Sequence, residues 1–322
     1  MSEPSVPKPA SLADVSRRRT VWVRGVPVVL TVVIFLLIFW RIPFGAFWNA
    51  LAGARMLPFL ALMGSFSLCF FLLDTFVLSR LIRWFHGPLP YRDLLPVRAV
   101  TYLVSILNTQ LAQAALALYI HRRFRTPLAQ ITSTVALMIL LEATNLILFA
   151  TVGAIAFPGG APLSLLALPL VLGVVWLVLM SLVQGKLGAL SQRLSDSVLL
   201  STFRRVRPRH CAIILGLKGS VFCLALLVHS QALTFFGIEI PLVRLVTFLP
   251  VVFLVAALPI TVAHLGTSQA AWIFFFSSYA SEADLLAYSL VSHLTFMLAN
   301  GTFGVLFLPK AYSDLFLREQ KG

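Results

Sequence analysis

The stretch VRAVTYLVSILNTQLAQAALALYI, from Val97 to Ile120, decides how the rest of the chain is arranged. It is apolar apart from a polar middle at Asn108, Gln110 and Gln113, and arginines lie on both sides of it. Positive charge favours the cytoplasmic side of a membrane, so both ends are expected there. A membrane-spanning helix takes about 20 residues, so this stretch is too short to cross twice. We therefore predict a re-entrant hairpin that enters from the cytoplasm and turns back.

The composition supports a membrane protein. The chain has 322 residues, of which 59% are hydrophobic and 11% charged, and its mean hydropathy is +0.95. A soluble domain is expected to have about 25% charged residues. The net charge of +14 is accounted for by basic membrane-flanking loops, and nucleic acid is not an expected partner. We predict an all-α, polytopic transmembrane helix bundle.

Six apolar runs predict simple membrane spans. They are Val21 to Trp40, Pro58 to Ile82, Leu128 to Phe157, Pro162 to Gln184, Cys211 to Phe236 and Leu285 to Leu308. Threading them from a cytoplasmic N-terminus places all but four of the 25 Lys and Arg residues on the cytoplasmic side. The exceptions are Arg41, Arg55, Lys218 and Arg244.

A second irregular stretch runs from Leu245 to Tyr279. The segment Leu258 to Gly266 contains a proline and a glycine that break the helix near its midpoint. LAQAA in the first stretch aligns with TSQAA in the second at an offset of 156 residues, which places Gln113 opposite Gln269. Because the second hairpin is expected to open outward, the two stretches predict inverted repeats with two re-entrant helical hairpins.

These patterns define the domain organisation that we expect. Residues 1–20 form a cytoplasmic tail, residues 21–309 a single transmembrane domain, and residues 310–322 a second cytoplasmic tail. The repeats cover about residues 58–157 and 211–309. The charge distribution favours a bacterial inner-membrane protein with both termini in the cytoplasm.

Three motifs occur in a recognisable order. They are RAVTYLVSILN from Arg98 to Asn108, LLE ending at Glu142, and LPITVAHLGTSQ from Leu258 to Gln269. Together they resemble the transmembrane family of lysylphosphatidylglycerol synthases, also called flippase-like proteins, over roughly Pro58 to Leu308.

The third motif keeps Pro259, Leu265 and Gly266 of the family pattern, whereas His264 stands in place of a glycine and Gln269 in place of an acidic residue. The resemblance implies a membrane domain that binds or moves lipids, sometimes beside a separate aminoacyl-transfer or glycosyl-transfer domain. Such an enzyme would here be a partner.

Three ionisable residues fall inside predicted spans, where a charge costs several kcal/mol unless it is paired or faces a cavity. Glu142 lies about 21 Å along its helix from Leu128 at 1.5 Å per residue, which makes it the deepest. It is a candidate to bind a proton or a lipid head group, and a buried acid bonded to a neighbouring span is the structural alternative. Asp74 and Lys218 are expected at one depth, as a structural ion pair.

The remaining candidates lie at the two helix breaks: Asn108, Gln113, His264 and Gln269. They are expected to cap broken helices and also to contact the substrate, because the N-terminus of a half-helix carries partial positive charge that suits an anion.

The leading functional hypothesis is a lipid transporter or flippase that moves an anionic or glycosylated lipid between leaflets through a midplane cavity. It would not be an enzyme and would need no cofactor, since neither a metal-ligand motif nor an ATP-binding loop is found. One alternative is a non-catalytic partner subunit of a lipid glycosyltransferase or aminoacyltransferase. The other is a lipid transferase with Glu142 as general base and His264 as acid.

Overall fold

The computed structural model describes residues 28–107, 109–156, 165, 167–186, 197–258, 261 and 265–312, and this part of the chain contains helices and no strand. The all-α prediction is confirmed. In chain order the helices are α1 (Val28–Arg41), α2 (Phe44–Gly53), α3 (Met56–Phe85), α4 (Tyr91–Leu107), α5 (Thr109–Phe124), α6 (Leu128–Ala156), α7 (Ala167–Val183), α8 (Ser201–Arg205), α9 (Pro208–Thr234), α10 (Leu242–Ala257), α11 (Thr267–Phe276) and α12 (Glu282–Tyr312).

Four of these helices, α3, α6, α9 and α12, are long and apolar enough to cross a membrane. They correspond to four of the predicted spans. α1 and α2 are each too short to cross a membrane and would form a fifth span only as a pair, with a bend of 87° between them. The first apolar run is thus followed by a sharp bend and a short helix that the sequence did not predict. α7 and α10 are shorter apolar helices.

α4 and α5 form the hairpin expected from the first irregular stretch. Arg123, near the end of α5, lies 3.9 Å from Asp93, near the start of α4, so both ends of the hairpin are on one side of the protein. The helices extend beyond the predicted stretch at both ends. The turn before α4 contains Gly87, which has a φ of 143° that favours glycine. A Cβ there would lie only 3.2 Å from the Phe124 ring. A re-entrant position of this hairpin in the bilayer stays a prediction.

α10 and α11 flank the second break. Gly266 precedes α11 with a φ of 91°, a conformation that favours glycine. Its backbone N–H donates to the side-chain oxygen of Gln269 at 2.6 Å, which satisfies one of the free donors at the start of the helix. Ile34 of α1 packs against Gly266. The start of α11 is therefore capped from within, and α1 lies against it.

α3 and α9 cross the protein side by side in opposite directions. At one end the backbone N–H of Arg55 donates to the carbonyl oxygen of Phe235 at 2.9 Å. At the other end the Arg205 guanidinium donates to the carbonyl oxygen of Phe85 at 3.2 Å. We call the face with Arg205 and Arg123 the basic face, and the face with Arg55 the opposite face.

Two series of four helices share one pattern of lengths, a long helix, two shorter helices and a second long helix. The series are α3 to α6 and α9 to α12. In the described part of the chain, the two most extensive helix contacts join these halves: α4 with α12, and α6 with α10. Each contact contains a glycine at a close approach. A Cβ on Gly153 of α6 would lie 2.7 Å from the Cα of Thr247, and a Cβ on Gly304 of α12 would lie 2.8 Å from the carbonyl oxygen of Ala99.

These approaches predict that Gly153→Ala weakens the contact between α6 and α10. The added methyl group would meet backbone atoms that cannot move without shifting a helix. We expect a loss of about 1–3 kcal/mol in the free energy of unfolding, measured by denaturant titration in mixed micelles.

Gly64→Ala is the matched control, since Gly64 on α3 has open space around its Cα and should tolerate the methyl group. Equal stability of the two variants would contradict the close-packed contact.

Candidate functional site

Polar side chains from two helices, α4 and α9, surround Asp74 of α3. Its Oδ2 atom accepts hydrogen bonds from Arg98 of α4, through Nε at 2.9 Å and Nη2 at 2.6 Å, and from the hydroxyl of Tyr102 at 2.7 Å. Its Oδ1 atom accepts from Nζ of Lys218 on α9 at 3.1 Å. Charge-assisted hydrogen bonds of this length are strong, so the buried carboxylate is fully satisfied.

Lys218 also pairs with Glu142 of α6, and this pair completes the group. Asp74, Arg98, Glu142 and Lys218 carry two negative and two positive charges, so the group is neutral as a whole. We call these four residues the ion cluster. The Glu142 side chain is 44% exposed, whereas the other three are nearly inaccessible.

Helix geometry explains why these residues meet. Asp74 lies about 16 Å from the end of α3 at 1.5 Å per residue, and Lys218 about 15 Å from the start of α9. α3 ends at the basic face and α9 begins there. The two residues are at similar distances from that face, so they lie at the same depth. Arg98 and Tyr102 are four residues apart and therefore share one face of α4. The Arg98 guanidinium lies 4.7 Å from the centre of the Tyr102 ring, which adds a cation–π contact.

A partly open cavity of about 410 Å³ begins at the ion cluster and is lined by residues of α3, α6, α9, α10, α11 and α12. It extends along α9 from Lys218 to His229, about 16 Å at 1.5 Å per residue. Its aromatic walls are formed by Phe66, Phe70, Phe222, Phe253, Trp272 and Phe296. A site with apolar walls and a few polar groups at one end suits a ligand that is itself amphipathic.

The two histidines on the cavity wall are His229 of α9 and His293 of α12. Nδ1 of His229 shares a 2.6 Å hydrogen bond with the hydroxyl of Tyr288, which is fully buried. The ring of His229 also packs against Phe66 and Trp272. His229 is therefore held rigidly and supports the cavity wall.

The structure brings together three of the residues that the sequence singled out. Asp74 and Lys218 are in contact, as expected of an ion pair. Glu142 is bonded to Lys218 of a neighbouring span, as in the structural alternative, but it is half-exposed and not buried. Gln113 and Gln269 are not among the described residues that line the cavity. Gln269 is fully buried and caps α11.

The substrate contacts predicted for Gln113 and Gln269 stay predictions. Asn108 and His264 lie outside the described residues.

Sequence reasoning missed two members of this site, Arg98 and Tyr102. Arg98 was counted among the charges that set membrane orientation, and nothing marked Tyr102. A signal was present in the sequence, because Arg98 directly precedes AVTYLVSIL, from Ala99 to Leu107, which contains no charged residue. An arginine within a continuous helical segment is expected to need a buried partner.

Comparison with known proteins agrees with this architecture. The family described as the lysylphosphatidylglycerol synthase transmembrane region matches residues 25–304, which is most of the chain. The chain belongs to the lysylphosphatidylglycerol synthase transmembrane family. No curated protein matches the chain as a relative. As a family member with long apolar helices, it is an integral membrane protein.

Membership in the lysylphosphatidylglycerol synthase transmembrane family covers both halves of the fold and every residue of the ion cluster. It confirms the family suggested by the motifs at Arg98, Glu142 and Leu258.

The site predicts that Asp74→Asn strongly destabilises the protein. The substitution keeps the shape of the side chain but removes the negative charge that Arg98 and Lys218 share, so a buried positive charge is left unbalanced. We expect a loss of about 3 kcal/mol or more in the free energy of unfolding, as when one partner of a buried pair is removed. Unfolding by denaturant in mixed micelles measures this loss.

Asp93→Asn is the matched control, because it removes the exposed partner of Arg123 and should cost less than about 1 kcal/mol. Similar losses in the two variants would show that the ion cluster does not stabilise the fold.

Proposed function

We propose that this protein moves an anionic or glycosylated lipid, either a phospholipid or a polyprenyl-linked lipid, between the leaflets of the membrane. The observation that carries this proposal is the cavity, which combines a charged end at Glu142 and Lys218 with aromatic walls. The head group would bind at the charged end while the apolar chain stays against the walls or in the bilayer. The lipid would be released on the other side of the membrane with its chemical structure unchanged.

The arrangement of the two halves supports transport. Secondary transporters of many kinds are built from repeats of inverted topology, with the substrate between them near the midplane. Here α3 and α9 begin at opposite faces, and the contact of α4 with α12 mirrors the contact of α6 with α10. We infer an inverted repeat in which the hairpin α4–α5 corresponds to α10–α11. Motion of one half against the other would then open the cavity to each face in turn.

The charge distribution supports an orientation. The basic face carries the residues that flank α3, α5 and α9, including Arg83, Arg123 and Arg205. Cytoplasmic loops are rich in such residues. We infer that the basic face is cytoplasmic, as in an inner-membrane protein of a bacterium, and that the cavity lies on the extracytoplasmic side of the ion cluster.

The proposal predicts that Ala256→Phe slows lipid transport. Ala256 lines the cavity, and a phenyl ring there would occupy space that the lipid needs. We expect the rate of transport to fall by about tenfold or more, which corresponds to about 1.4 kcal/mol in the barrier. The rate is measured in proteoliposomes that contain a fluorescent anionic lipid. A quencher added outside reaches the lipid only in the outer leaflet, so the rate at which the protected fluorescence is lost reports transport.

Ala270→Phe is the matched control, because Ala270 lies on α11 with its side chain exposed and does not line the cavity. It should transport at the wild-type rate. Absence of transport by the wild-type protein would contradict the proposal and favour the partner subunit of a lipid glycosyltransferase or aminoacyltransferase. A change in the mass of the lipid would favour the transferase.

A further inference from the structure

Lys218 lies between two carboxylates, Asp74 and Glu142, that differ in burial and in their other partners. Asp74 is buried and accepts three hydrogen bonds from Arg98 and Tyr102, so its charge is already balanced without Lys218. Glu142 is half-exposed, and in the described part of the chain its ion pair is with Lys218. Lys218 is therefore held by Asp74 on one side and by an accessible carboxylate on the other.

The pair formed by Lys218 and Glu142 faces the cavity. Glu142 and Lys218 both line it, and they are the only Asp, Glu, Lys or Arg residues among the described residues of its wall. Arg98 does not line the cavity, and its Nε and Nη2 atoms are occupied by Asp74. A negatively charged ligand in the cavity thus has Lys218 as its cationic partner.

We propose that the Lys218 ammonium binds a phosphate oxyanion of the transported lipid, and that the Glu142 carboxylate holds this position until the phosphate displaces it. The inference rests on the proposed function and specifies its substrate class. Asp74 and Arg98 serve as the fixed support, and Glu142 serves as an exchangeable partner.

The exchange is physically favourable because it keeps Lys218 paired. A carboxylate and a phosphate both accept charge-assisted hydrogen bonds from an ammonium group. The cost of leaving a buried cation without a partner is therefore avoided throughout. Glu142 can turn toward water because its side chain is half-exposed. Lysine suits this role, since its ammonium is a compact charge with donors that can rotate from one acceptor to another.

The same oxyanion chemistry occurs in a lipid head group and in free phosphate. The cavity favours the lipid, because aromatic side chains such as Phe222 and Trp272 continue from the charged end. A soluble phosphate would gain nothing from these walls, whereas a lipid chain would remain in apolar surroundings while its head group binds at the charged end.

A purely structural ion pair predicts the opposite effect of one substitution. If Glu142 and Lys218 only stabilise the fold, then removing either charge should weaken the protein and its lipid binding together. If Glu142 competes with the phosphate, Glu142→Gln should bind an anionic lipid more tightly, while Lys218→Met should bind it more weakly. The sign of the Glu142→Gln effect therefore distinguishes the two cases.

The experiment measures binding of phosphatidylglycerol and of diacylglycerol, which has no phosphate, to the full chain in detergent, by native mass spectrometry with lipid titration. For phosphatidylglycerol we expect Glu142→Gln to lower the Kd by about threefold to tenfold, and Lys218→Met to raise it by about tenfold. Lys218→Met should also remove the preference for phosphatidylglycerol over diacylglycerol. Lys218→Arg should retain that preference.

Two further measurements complete the test. Thermal unfolding of each variant shows that it is folded, and Lys218→Met is expected to remain folded because Asp74 keeps Arg98 and Tyr102 as partners. Inorganic phosphate is added as a competitor and should not displace phosphatidylglycerol. Displacement by millimolar inorganic phosphate would overturn the assignment to a lipid head group.

The inference is overturned if Glu142→Gln weakens phosphatidylglycerol binding in a folded protein, or if Lys218→Met keeps the preference for the anionic lipid. Either result would leave the proposed transport intact where the wild-type protein still moves lipid in proteoliposomes. Absence of wild-type transport would instead contradict the proposed function, whatever the binding data show.

Discussion

The buried carboxylate of Asp74 is the constraint on which the rest of the structure depends. A charge inside a membrane protein must be paired, and Asp74 is paired by side chains of α4 and α9 that lie at its own depth. Through Lys218 the group reaches Glu142 on α6. The ion cluster therefore connects α3, α4 and α6 of the first half with α9 of the second half. The relative depth of these four helices is set by electrostatics as well as by packing.

The cavity adjoins the same group of charges. The helices bury Asp74, Arg98 and Lys218 but leave Glu142 accessible beside the cavity. Packing elsewhere is tight, with glycines at the contacts of α6 with α10 and of α4 with α12. In the cavity, aromatic side chains adjoin a pair of charges. This combination fits a lipid better than it fits a soluble metabolite, and it agrees with membership in a lipid-related family.

Sequence reasoning predicted the helical class, the family and the approximate positions of the four long helices. It could do so because a span of about 20 apolar residues is a local property of the chain. The meeting of Asp74 with Lys218 was predicted from depth alone. The contact of Arg98 with Asp74 was not predicted. Its partner lies on another helix, and the position of Arg98 near a basic loop suggested that it sets the orientation of the protein in the membrane. The bend after α1 and the short α2 were also missed, since Phe44–Gly53 continues the apolar composition of its surroundings.

The central claim is that the cavity beside the ion cluster holds a lipid by its phosphate group. The most direct measurement is lipid mass spectrometry on the wild-type protein extracted in native nanodiscs and then stripped of its surrounding bilayer by detergent. The account predicts that about one anionic phospholipid per chain is retained, enriched over its share of the parent membrane. A retained lipid profile that matches the parent membrane would contradict it.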